Sequence, residues 1–519
     1  MTAKGVVACG NPTTADTAAE VLREGGNAFD AVLAAMCAAC VAEPVLCSLG
    51  GGGFLLARPA DGESRLYDFF THTPGEPRPA DEIEFYAKHA DFGPARQEFH
   101  IGMGSIAVPG LVKGLFAAHD ELGWMPMRRI VEPAVALARD GVAIEPLQAR
   151  IFEFVSAIYL ATEASRTLFG SALEDGALLQ AGERYRAPDF ADALEALARE
   201  GADLFYRGEI AARMLGDCRD NGGHLTRTDL EAYQVERRAP LIWRYRGAEI
   251  ATNPPPSSGG VLIAFALGLI ERADFAAAGM GSAQALGWLA SAMRQTNRAR
   301  VERRIHELAE DEVADDLLAP ELIAAYRDGV VGAPPATRGT THINVIDGAG
   351  NAVALSVSNG EGSAYIVPGT GIMLNNMLGE EDVNPTGFHN WPPARRMSSM
   401  MAPSMLQDPS GRVTALGSGG SNRIRTAILQ VLVGLINFEM DLDAAIRAPR
   451  LHVEDELLNV EAGFTPEALA ALTPDFPEQK SWPAGNMFFG GVHAASVDQS
   501  LKTFVGAGDP RRGGVAITL

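Results

Sequence analysis

The N-terminal region has the periodicity of two helices separated by a glycine pair. The segment T-A-D-T-A-A-E-V-L-R-E ends at Gly25 and Gly26, which is typical of a helix C-terminus, and a second, more apolar helix is predicted from about Ala28. A glycine-rich segment at residues 49–58 is predicted to lead into a short strand, and residues 65–70 to form a second strand. Helix pairs next to strand pairs indicate a fold built from mixed layers.

The middle of the chain differs from its C-terminal third. Residues from about 105 to 330 are predicted to be a mainly helical scaffold, interrupted by the rigid segment N-P-P-P-S-S-G-G at residues 253–260. Beyond residue 340, T-H-I-N-V-I-D and A-V-A-L-S-V-S alternate with period two around a glycine turn at residues 348–350, which predicts a hairpin. Further strands are predicted at residues 371–376, 413–420 and 457–462, and helices at residues 425–437 and 442–447.

The composition is that of a folded globular chain with an acidic surface. Of the 519 residues, 47% are hydrophobic and 21% are charged, which is ample material for a core. The formal net charge of -22 argues against nucleic acid or an anionic membrane as a partner, because both require a basic surface. The first residues lack the features of a secretory signal, and no stretch gives about 18 uncharged apolar residues, so we expect a cytoplasmic protein with no membrane partner.

The cysteines and histidines do not form a metal-binding pattern. Five cysteines is an odd number, and four of them lie in the first tenth of the chain, so no disulfide framework is expected. Cys37 and Cys40 form a C-x-x-C within an apolar helical run that has no second pair, which favours buried packing over a zinc site. We therefore expect neither a metal nor another cofactor.

The junction between Gly339 and Thr340 is a candidate site of self-cleavage at the leading edge of the predicted hairpin. A small glycine leaves its carbonyl open to attack by the Thr340 hydroxyl, and water would then open the resulting ester. Cleavage would make Thr340 an N-terminal nucleophile whose own α-amine, with a reference pKa of about 8, serves as its base. Taken alone, the motif is weak, because a threonine pair that opens a strand is more often explained by β-propensity.

Two segments of the C-terminal third add groups that such a nucleophile requires. The segment R-M-S-S-M at residues 396–400 offers small hydroxyls able to hold a substrate. The segment G-S-G-G-S-N-R at residues 417–423 is a glycine turn after a strand. Such turns aim backbone N–H groups at a developing oxyanion, and each donor is worth about 3 to 4 kcal/mol. Each segment is also compatible with a plain turn.

Over nearly its whole length, the chain resembles the γ-glutamyltranspeptidase family. The segments that carry the resemblance are, in chain order, E-G-G-N-A-F-D-A, L-G-G-G-G-F, P-A-V-A-L-A-R-D-G, P-P-P-S-S-G-G, T-T-H, D-G-A-G-N-A-V, N-N-M, S-S-M and D-P-R-R. Jointly they are highly specific. The resemblance implies an α+β fold, the four-layer αββα sandwich of the N-terminal-nucleophile hydrolases, matured from one precursor chain.

The resemblance also implies how the chain is divided and which residues carry the chemistry. Cleavage would separate a large subunit, residues 1–339, from a small subunit, residues 340–519, and the two would form one intertwined unit. A homodimer of this heterodimer stays an open alternative. The implied site residues are the nucleophile Thr340, the assisting hydroxyl of Ser358, the substrate-holding Ser398 and Ser399, and the oxyanion-hole glycines Gly419 and Gly420.

Several positions depart from the family pattern where its members hold the glutamyl group. Phe70 stands where an arginine binds the α-carboxylate, and a carboxylate desolvated without a partner costs several kcal/mol. Met377 and Glu380 stand where a polar residue and an aspartate hold the amine; Glu380 can still serve, whereas Met377 cannot. Position 360 is glycine where the family has asparagine, although Asn359 could replace it with a small shift.

Other charged residues lie near the implied site. Glu361 is an additional acid beside Asn359 and Gly360. Arg395, Arg396 and Arg423 are candidates for a relocated anchor of a substrate anion, and each is equally compatible with a structural role.

Three hypotheses about function follow. The first is an autoprocessing amidase or acyltransferase of γ-glutamyltranspeptidase type, which cleaves an amide through a threonyl acyl-enzyme that water or an amine resolves. The second keeps this chemistry but takes a small acyl-amide that lacks the glutamyl α-carboxylate. The third is a processing-deficient relative that only binds its ligand.

Overall fold

The computed structural model describes residues 4–91, 96–327, 339–454 and 456–519. Two antiparallel sheets lie face to face at the centre of the molecule, and helices cover the outer face of each sheet. This arrangement is the four-layer αββα sandwich that the resemblance implies, so the predicted fold class is confirmed.

Within the described residues, the first sheet has seven strands, all antiparallel to their neighbours. In spatial order they are β22 (Val515–Thr518), β1 (Gly5–Cys9), β11 (Thr341–Asp347), β12 (Ala352–Ser358), β2 (Gly52–Arg58), β3 (Arg65–Phe69) and β8 (Glu236–Arg238). The second sheet consists of β21 (Thr503–Ala507), β20 (Gly491–Asp498), β16 (Val413–Gly419), β15 (Ser404–Gln407), β10 (Ala248–Thr252) and β9 (Leu241–Tyr245).

Smaller sheets lie outside the sandwich. They are formed by β4 (Tyr86–Asp91) with β5 (Arg96–Ile101), β6 (Val142–Ala143) with β7 (Arg184–Tyr185), β13 (Ile366–Val367) with β14 (Ile372–Met373), and β17 (Leu451–Glu454), β18 (Leu457–Glu461) and β19 (Gln479–Trp482).

Helices α1 (Pro12–Arg23) and α2 (Ala28–Ala42) pack on the first sheet. Helices α12 (Gly259–Leu269), α17 (Arg423–Asn437) and α18 (Leu442–Arg447) pack on the second. The helices of the large N-terminal part are α1 (Pro12–Arg23), α2 (Ala28–Ala42), α3 (Leu111–Leu122), α4 (Met127–Asp140), α5 (Pro146–Phe154), α6 (Ser156–Tyr159), α7 (Glu163–Phe169), α8 (Pro188–Glu200), α9 (Asp203–Tyr206), α10 (Glu209–Asp220), α11 (Arg227–Ala232), α12 (Gly259–Leu269), α13 (Phe275–Ala278), α14 (Ala283–Glu302), α15 (Glu310–Leu317) and α16 (Pro320–Arg327). Those after residue 340 are α17 (Arg423–Asn437), α18 (Leu442–Arg447) and α19 (Pro466–Ala470). Short 3₁₀ turns include Met377–Gly379, Glu381–Val383 and Pro510–Arg512.

The first two helices begin where the sequence signals place them. The side chain of Asn11 accepts hydrogen bonds from the backbone at the start of α1, and Asn27 forms a reciprocal capping box with Asp30 at the start of α2. Gly25 has a φ of +94°, as the predicted helix end requires. Every residue of α2 is buried, and the cysteines of the C-x-x-C lie within it, which confirms the prediction of buried packing.

The hairpin of β11 and β12 lies in the middle of the first sheet and separates two environments. Apolar residues such as Ile343 and Leu355 belong to the core against the helices, whereas Ile346 and Ala354 belong to the core that includes the second sheet. Because side chains alternate along a strand, the start of β11 presents its polar positions to the space between the sheets. This position brings the Gly339–Thr340 junction beside the end of β16.

Several strands of the two central sheets were not predicted from the sequence, among them β15, β20, β21 and β22. The region predicted as helical scaffold contains β8, β9 and β10, which extend both central sheets. Strand β9 lies at a sheet edge and alternates between half-buried and exposed residues, a pattern that is weak beside the long helices around it. Strand β1 was also missed, because its sequence G-V-V-A-C is a short apolar run without alternation.

None of the helices in the described ranges is both long and apolar enough to cross a membrane.

Candidate active site

Two hydroxyl groups converge on the carbonyl of Gly339. Thr340 Oγ1 donates a hydrogen bond of 2.7 Å to this oxygen, and Ser358 Oγ donates one of 2.9 Å. Ser358 Oγ also accepts a hydrogen bond of 3.1 Å from the backbone N–H of Gly360, which fixes its orientation. The carbonyl of the predicted cleavage site is therefore polarised by two donors, and the predicted nucleophile is one of them.

The amide on the other side of Gly339 is held by Glu361. Glu361 Oε1 accepts a hydrogen bond of 2.8 Å from the Gly339 N–H, and the glutamate side chain is buried. The turn that carries it passes through Gly360, which has a φ of +64° and lies so close to Asn376 and Glu380 that a Cβ would approach both at less than 2.5 Å. The positive φ and the lack of space for a Cβ therefore require glycine at position 360. The turn that it forms brings Ser358 and Glu361 to opposite sides of the junction.

Glu43 anchors the residue that follows the junction. Glu43 Oε2 accepts a hydrogen bond of 2.7 Å from Thr341 Oγ1, and its Oε1 accepts one of 2.8 Å from Thr14. Burial raises the pKa of this carboxyl, and the two hydroxyl donors counteract that effect. Sequence reasoning did not find Glu43; the available signal was an acidic residue immediately after the wholly buried helix α2.

A polar cluster between the sheets supports the same strand. His342 Nδ1 lies 2.8 Å from Ser356 Oγ, and its Nε2 lies 3.0 Å from Asn344 Oδ1. Burial lowers the pKa of His342 to about 3, so the imidazole is neutral at physiological pH. Gly417 of β16 lies against the ring, because a Cβ there would come within 2.2 Å of it. This contact fixes the relative position of β11 and β16.

The two glycines predicted to form the oxyanion hole lie at the end of β16. A Cβ at Gly419 would lie 2.1 Å from the carbonyl oxygen of Thr340, so any side chain there would displace the nucleophile. Gly420 has a φ of +123°, a conformation that residues with side chains rarely adopt. The structure therefore places this turn next to Thr340, as the sequence pattern predicts.

A small cavity of about 40 Å³ opens beside Thr340, with room for only a few water molecules. Its walls contain several of the predicted site residues together with apolar side chains. They are formed by Phe70, Gly339, Thr340, Ser358, Met377, Glu380, Asp382, Val383, Ser399, Met400, Met401, Ser421 and Ile424. The Phe70 ring stacks on Phe54 with 5.4 Å between centroids. No arginine is found among the described residues of this wall.

A larger pocket of about 170 Å³ adjoins this cavity and shares Asp382 and Val383 with it. Ser398 lies on the larger pocket, whereas Ser399 lies on the inner cavity. The two neighbouring serines therefore face different spaces. Trp391 and several aliphatic residues contribute an apolar surface to the larger pocket, beside the exposed Arg395.

The three candidate arginines have different environments. Arg396 is buried and forms an ion pair of 3.2 Å with Asp68, and it also donates hydrogen bonds to Tyr233 Oη and to the Phe70 carbonyl. Arg423 is buried and donates to the carbonyl of Phe488 at 3.1 Å. Arg395 alone of these three is exposed on the larger pocket. Arg396 thus has a structural role, and it fixes the backbone of Phe70.

Asn359 does not contribute to the cavity. Its Nδ2 lies 3.5 Å from the carbonyl of Leu374, and its buried Oδ1 has no hydrogen-bond partner among the described residues. The cavity wall holds Ser358 but not its neighbour. A role for Asn359 in place of the family's asparagine stays a prediction.

Comparison with known proteins decides the family. A family model described as Gamma-glutamyltranspeptidase matches residues 14–519. The chain belongs to this family.

The Acylase ACY 1 proenzyme of Pseudomonas sp. (strain V22) is 33% identical over 485 residues, which cover 90% of this chain and 85% of that protein. The Glutathione hydrolase proenzyme of Escherichia coli (strain K12) is 31% identical over 502 residues, covering 90% and 84% of the two chains. The crystal structure of cephalosporin acylase from Bacillus halodurans superimposes with a TM-score of 0.85 at 24% identity, covering 99% and 96% of the two chains, and so shares the fold.

Membership of the gamma-glutamyltranspeptidase family makes this chain an N-terminal-nucleophile hydrolase or acyltransferase. Enzymes of this family act on small amides and mature from one precursor into two subunits. The hypothesis of a non-catalytic binding protein is therefore not supported. Both relatives named above are proenzymes, one an acylase and the other a glutathione hydrolase, at nearly equal identity to this chain.

Proposed function

We propose that this protein cleaves its own chain between Gly339 and Thr340 and then uses Thr340 as the nucleophile of an amidase or acyltransferase. The observation that carries this proposal is the pair of hydroxyls, from Thr340 and Ser358, that donate to the Gly339 carbonyl. The subunits would comprise residues 1–339 and 340–519. A cytoplasmic location stays a prediction from the sequence.

Maturation begins with attack of Thr340 Oγ1 on the Gly339 carbonyl carbon. The C–N bond of the junction then breaks, its nitrogen takes up the hydroxyl proton, and an ester joins Gly339 to Thr340 Oγ1. Water hydrolyses this ester and leaves a carboxylate on Gly339 and a free α-amine on Thr340. Ser358 supports the reaction because its hydroxyl is already directed at the oxygen on which negative charge develops.

Substrate cleavage repeats the same chemistry on an external amide. The α-amine of Thr340 accepts the hydroxyl proton while Oγ1 attacks the substrate carbonyl, and the amine product leaves with a proton. The turn at Gly419 and Gly420, which lies beside Thr340, would direct its backbone N–H groups at the oxyanion, and water or a second amine then releases the acyl group.

The cavity favours an acyl group without the glutamyl α-carboxylate. Phe70 and Met377 form part of its wall, and no arginine lies among the described wall residues. A carboxylate placed there would lose its hydration without gaining a cationic partner. We therefore propose a small acyl-amide as the better substrate, with Glu380 able to contact an amine or amide N–H of the acyl group.

Intact-mass measurements test the maturation step. Wild-type protein should yield fragments beginning at Met1 and Thr340, whereas Thr340→Ala should remain one chain. Thr340→Ser retains a hydroxyl at the same position and should be cleaved, so it serves as the matched control. Normal cleavage in Thr340→Ala would show that another residue is the nucleophile of maturation.

A substrate panel tests the acyl group. Mature enzyme is assayed with γ-glutamyl-p-nitroanilide and with uncharged acyl-p-nitroanilides of increasing size. We expect a higher kcat/KM for the uncharged substrates. Efficient γ-glutamyl transfer to dipeptides would instead show that the carboxylate has another anchor.

A further inference from the structure

Arg512 crosses the end of the second sheet through a path lined by glycines. Its aliphatic carbons lie against Gly491 of β20, where a Cβ would come within 2.8 Å of three of them. Its guanidinium then reaches the turn of β16: Nη2 lies 3.1 Å from the position of a Gly420 Cβ, and Nη1 lies 3.5 Å from that of Gly419. The glycines leave the space that this side chain occupies.

Arg512 differs from the arginine beside it. Arg511 forms an ion pair with Glu461 at 2.5 Å and another with Asp509 at 3.2 Å. Arg512 is equally buried, but its Nε has no hydrogen-bond partner among the described residues. A buried cation with an unsatisfied donor destabilises a fold unless its charge is used by a neighbouring group. Two carboxylates therefore hold Arg511, whereas the Nε donor of Arg512 is unsatisfied among the described residues.

The guanidinium of Arg512 lies close to the groups that surround the cleavage junction. Burial, together with the neighbouring cation of Arg423, lowers the pKa of Arg512 to about 10, so it is still charged at neutral pH. Glu361 is the carboxylate that most favours this charge. Glu361 itself accepts the hydrogen bond from Gly339, and the Thr340 carbonyl lies at Gly419 beside Arg512. Arg512 and Glu361 thus place opposite charges next to Thr340.

We propose that Arg512 is a positioning residue that keeps the α-amine of mature Thr340 unprotonated, and hence able to act as a base, at neutral pH. This inference rests on the proposed function, since it requires Thr340 to become the N-terminus. A carboxylate beside an amine favours its protonated form, and a cation beside it has the opposite effect. Without Arg512, Glu361 would hold a proton on the amine, which could then not accept the proton of the Thr340 hydroxyl.

Other acidic groups near Thr340 would also favour a protonated α-amine, so cations are needed to offset them. Acidic groups approach the nucleophile from two further segments: Glu43 is bonded to Thr341, and Glu380 and Asp382 line the cavity. Asp509 also favours the charge of Arg512 and is already paired with Arg450 and Arg511. His493, next to Asp509, is neutral because burial lowers its pKa to about 4. Arg423, Arg425 and Arg512 are buried cations near α17 and the β16 turn: Asp382 favours the charge of Arg425, and Glu361 favours that of Arg512.

The pH dependence of kcat/KM tests the proposal, because its acid limb reports the pKa of the essential base in the free enzyme. Fully processed wild type, Arg512→Gln and Arg512→Lys are compared with an uncharged acyl-p-nitroanilide that the wild type cleaves. In Arg512→Gln the acid limb should move up by about one pH unit, which lowers kcat/KM about tenfold below the limb. Arg512→Lys should keep the wild-type limb, and Arg244→Gln, whose side chain is 83% exposed, is the surface control.

Two results would overturn the proposal. The first is a limb in Arg512→Gln that coincides with the wild-type limb while kcat/KM falls equally at every pH. The second is an equal shift in the Gln and Lys variants, since charge would then not be the cause. If Arg512→Gln is not processed, Glu361→Gln replaces it: its limb should move down, and an unmoved limb contradicts the proposal. Wild-type cleavage at Gly339–Thr340 is measured separately by intact mass, so a failure of the proposed function is recognised independently.

Discussion

Ser358 Oγ lies 2.9 Å from the carbonyl oxygen of Gly339 and donates a hydrogen bond to it, although the two residues are separated by a complete β-hairpin. The register of β11 and β12 brings the end of the second strand back to the start of the first. The same hairpin that forms the middle of the sheet thus places a donor on the bond to be cut. The register between β11 and β12 therefore determines both the pairing of these strands and the position of the Ser358 hydroxyl at the Gly339 carbonyl.

Ser358→Ala should slow the appearance of the two fragments about 100-fold, because removal of one oxyanion donor has an effect of this size. The rate is followed on freshly purified precursor by intact mass. Ser358→Thr keeps a hydroxyl and should be processed at close to the wild-type rate. An unchanged rate in Ser358→Ala would mean that this hydrogen bond does not contribute to the transition state.

Gly419→Ala should abolish both processing and amide cleavage. The new Cβ would lie 2.1 Å from the Thr340 carbonyl oxygen, so Thr340 or the turn must move. The matched control is Gly216→Ala in α10, where no atom lies within 4 Å of the added Cβ. That control should be processed normally and be more stable by up to about 1 kcal/mol, as expected for alanine in a helix. Normal processing of Gly419→Ala would contradict the proposed position of the oxyanion hole.

The central part of the site could be predicted from the sequence because its signals are local. A glycine before a threonine pair, a period-two hairpin and a glycine turn after a strand are each visible in neighbouring residues, whereas Ser358 was implied by the family resemblance. The structure brings Gly339, Thr340, Ser358 and Gly419 together. The roles of these residues stay predictions until the variants are measured.

Contacts between distant segments could not be predicted. Glu43 bonds Thr341, which is 298 positions away, and Arg512 reaches the site from the C-terminal end. Neither residue carries a local pattern that points to Thr340. Ser398 and Ser399 look equivalent in the sequence, yet the chain direction places them on different cavities. Only the path of the backbone distinguishes them.

Phe70→Ala should change substrate preference towards bulkier acyl groups, because Phe70 forms part of the cavity wall beside Thr340. Loss of a buried phenylalanine also costs about 3 to 5 kcal/mol of the free energy of unfolding. Phe54→Ala is the matched control: Phe54 stacks on Phe70 but is absent from the cavity wall. We expect a similar loss of stability in both variants, measured by urea denaturation, and a change in the substrate panel only for Phe70→Ala. Equal substrate profiles would show that Phe70 does not limit the acyl group.

The stability of the uncut precursor should fall as the pH is lowered from 7 to 5, and His342 should contribute to this fall. Burial lowers its pKa to about 3 in the folded protein, whereas the unfolded chain binds a proton near pH 6.5. Between these values the unfolded state carries the additional proton, so stability decreases with falling pH, by up to about 1.4 kcal/mol per pH unit for such a group.

Urea denaturation of Thr340→Ala at pH 7, 6 and 5 measures this dependence without interference from cleavage. Adding His342→Gln to this background should lower stability at pH 7, because the bonds to Ser356 and Asn344 are disturbed. It should also make the decrease between pH 6 and pH 5 shallower, since one buried imidazole is removed. His89→Gln, at a side chain that is 59% exposed, is the comparison. If both variants keep the slope of the parent, the neutral state of His342 does not contribute to the stability of the sheet interface.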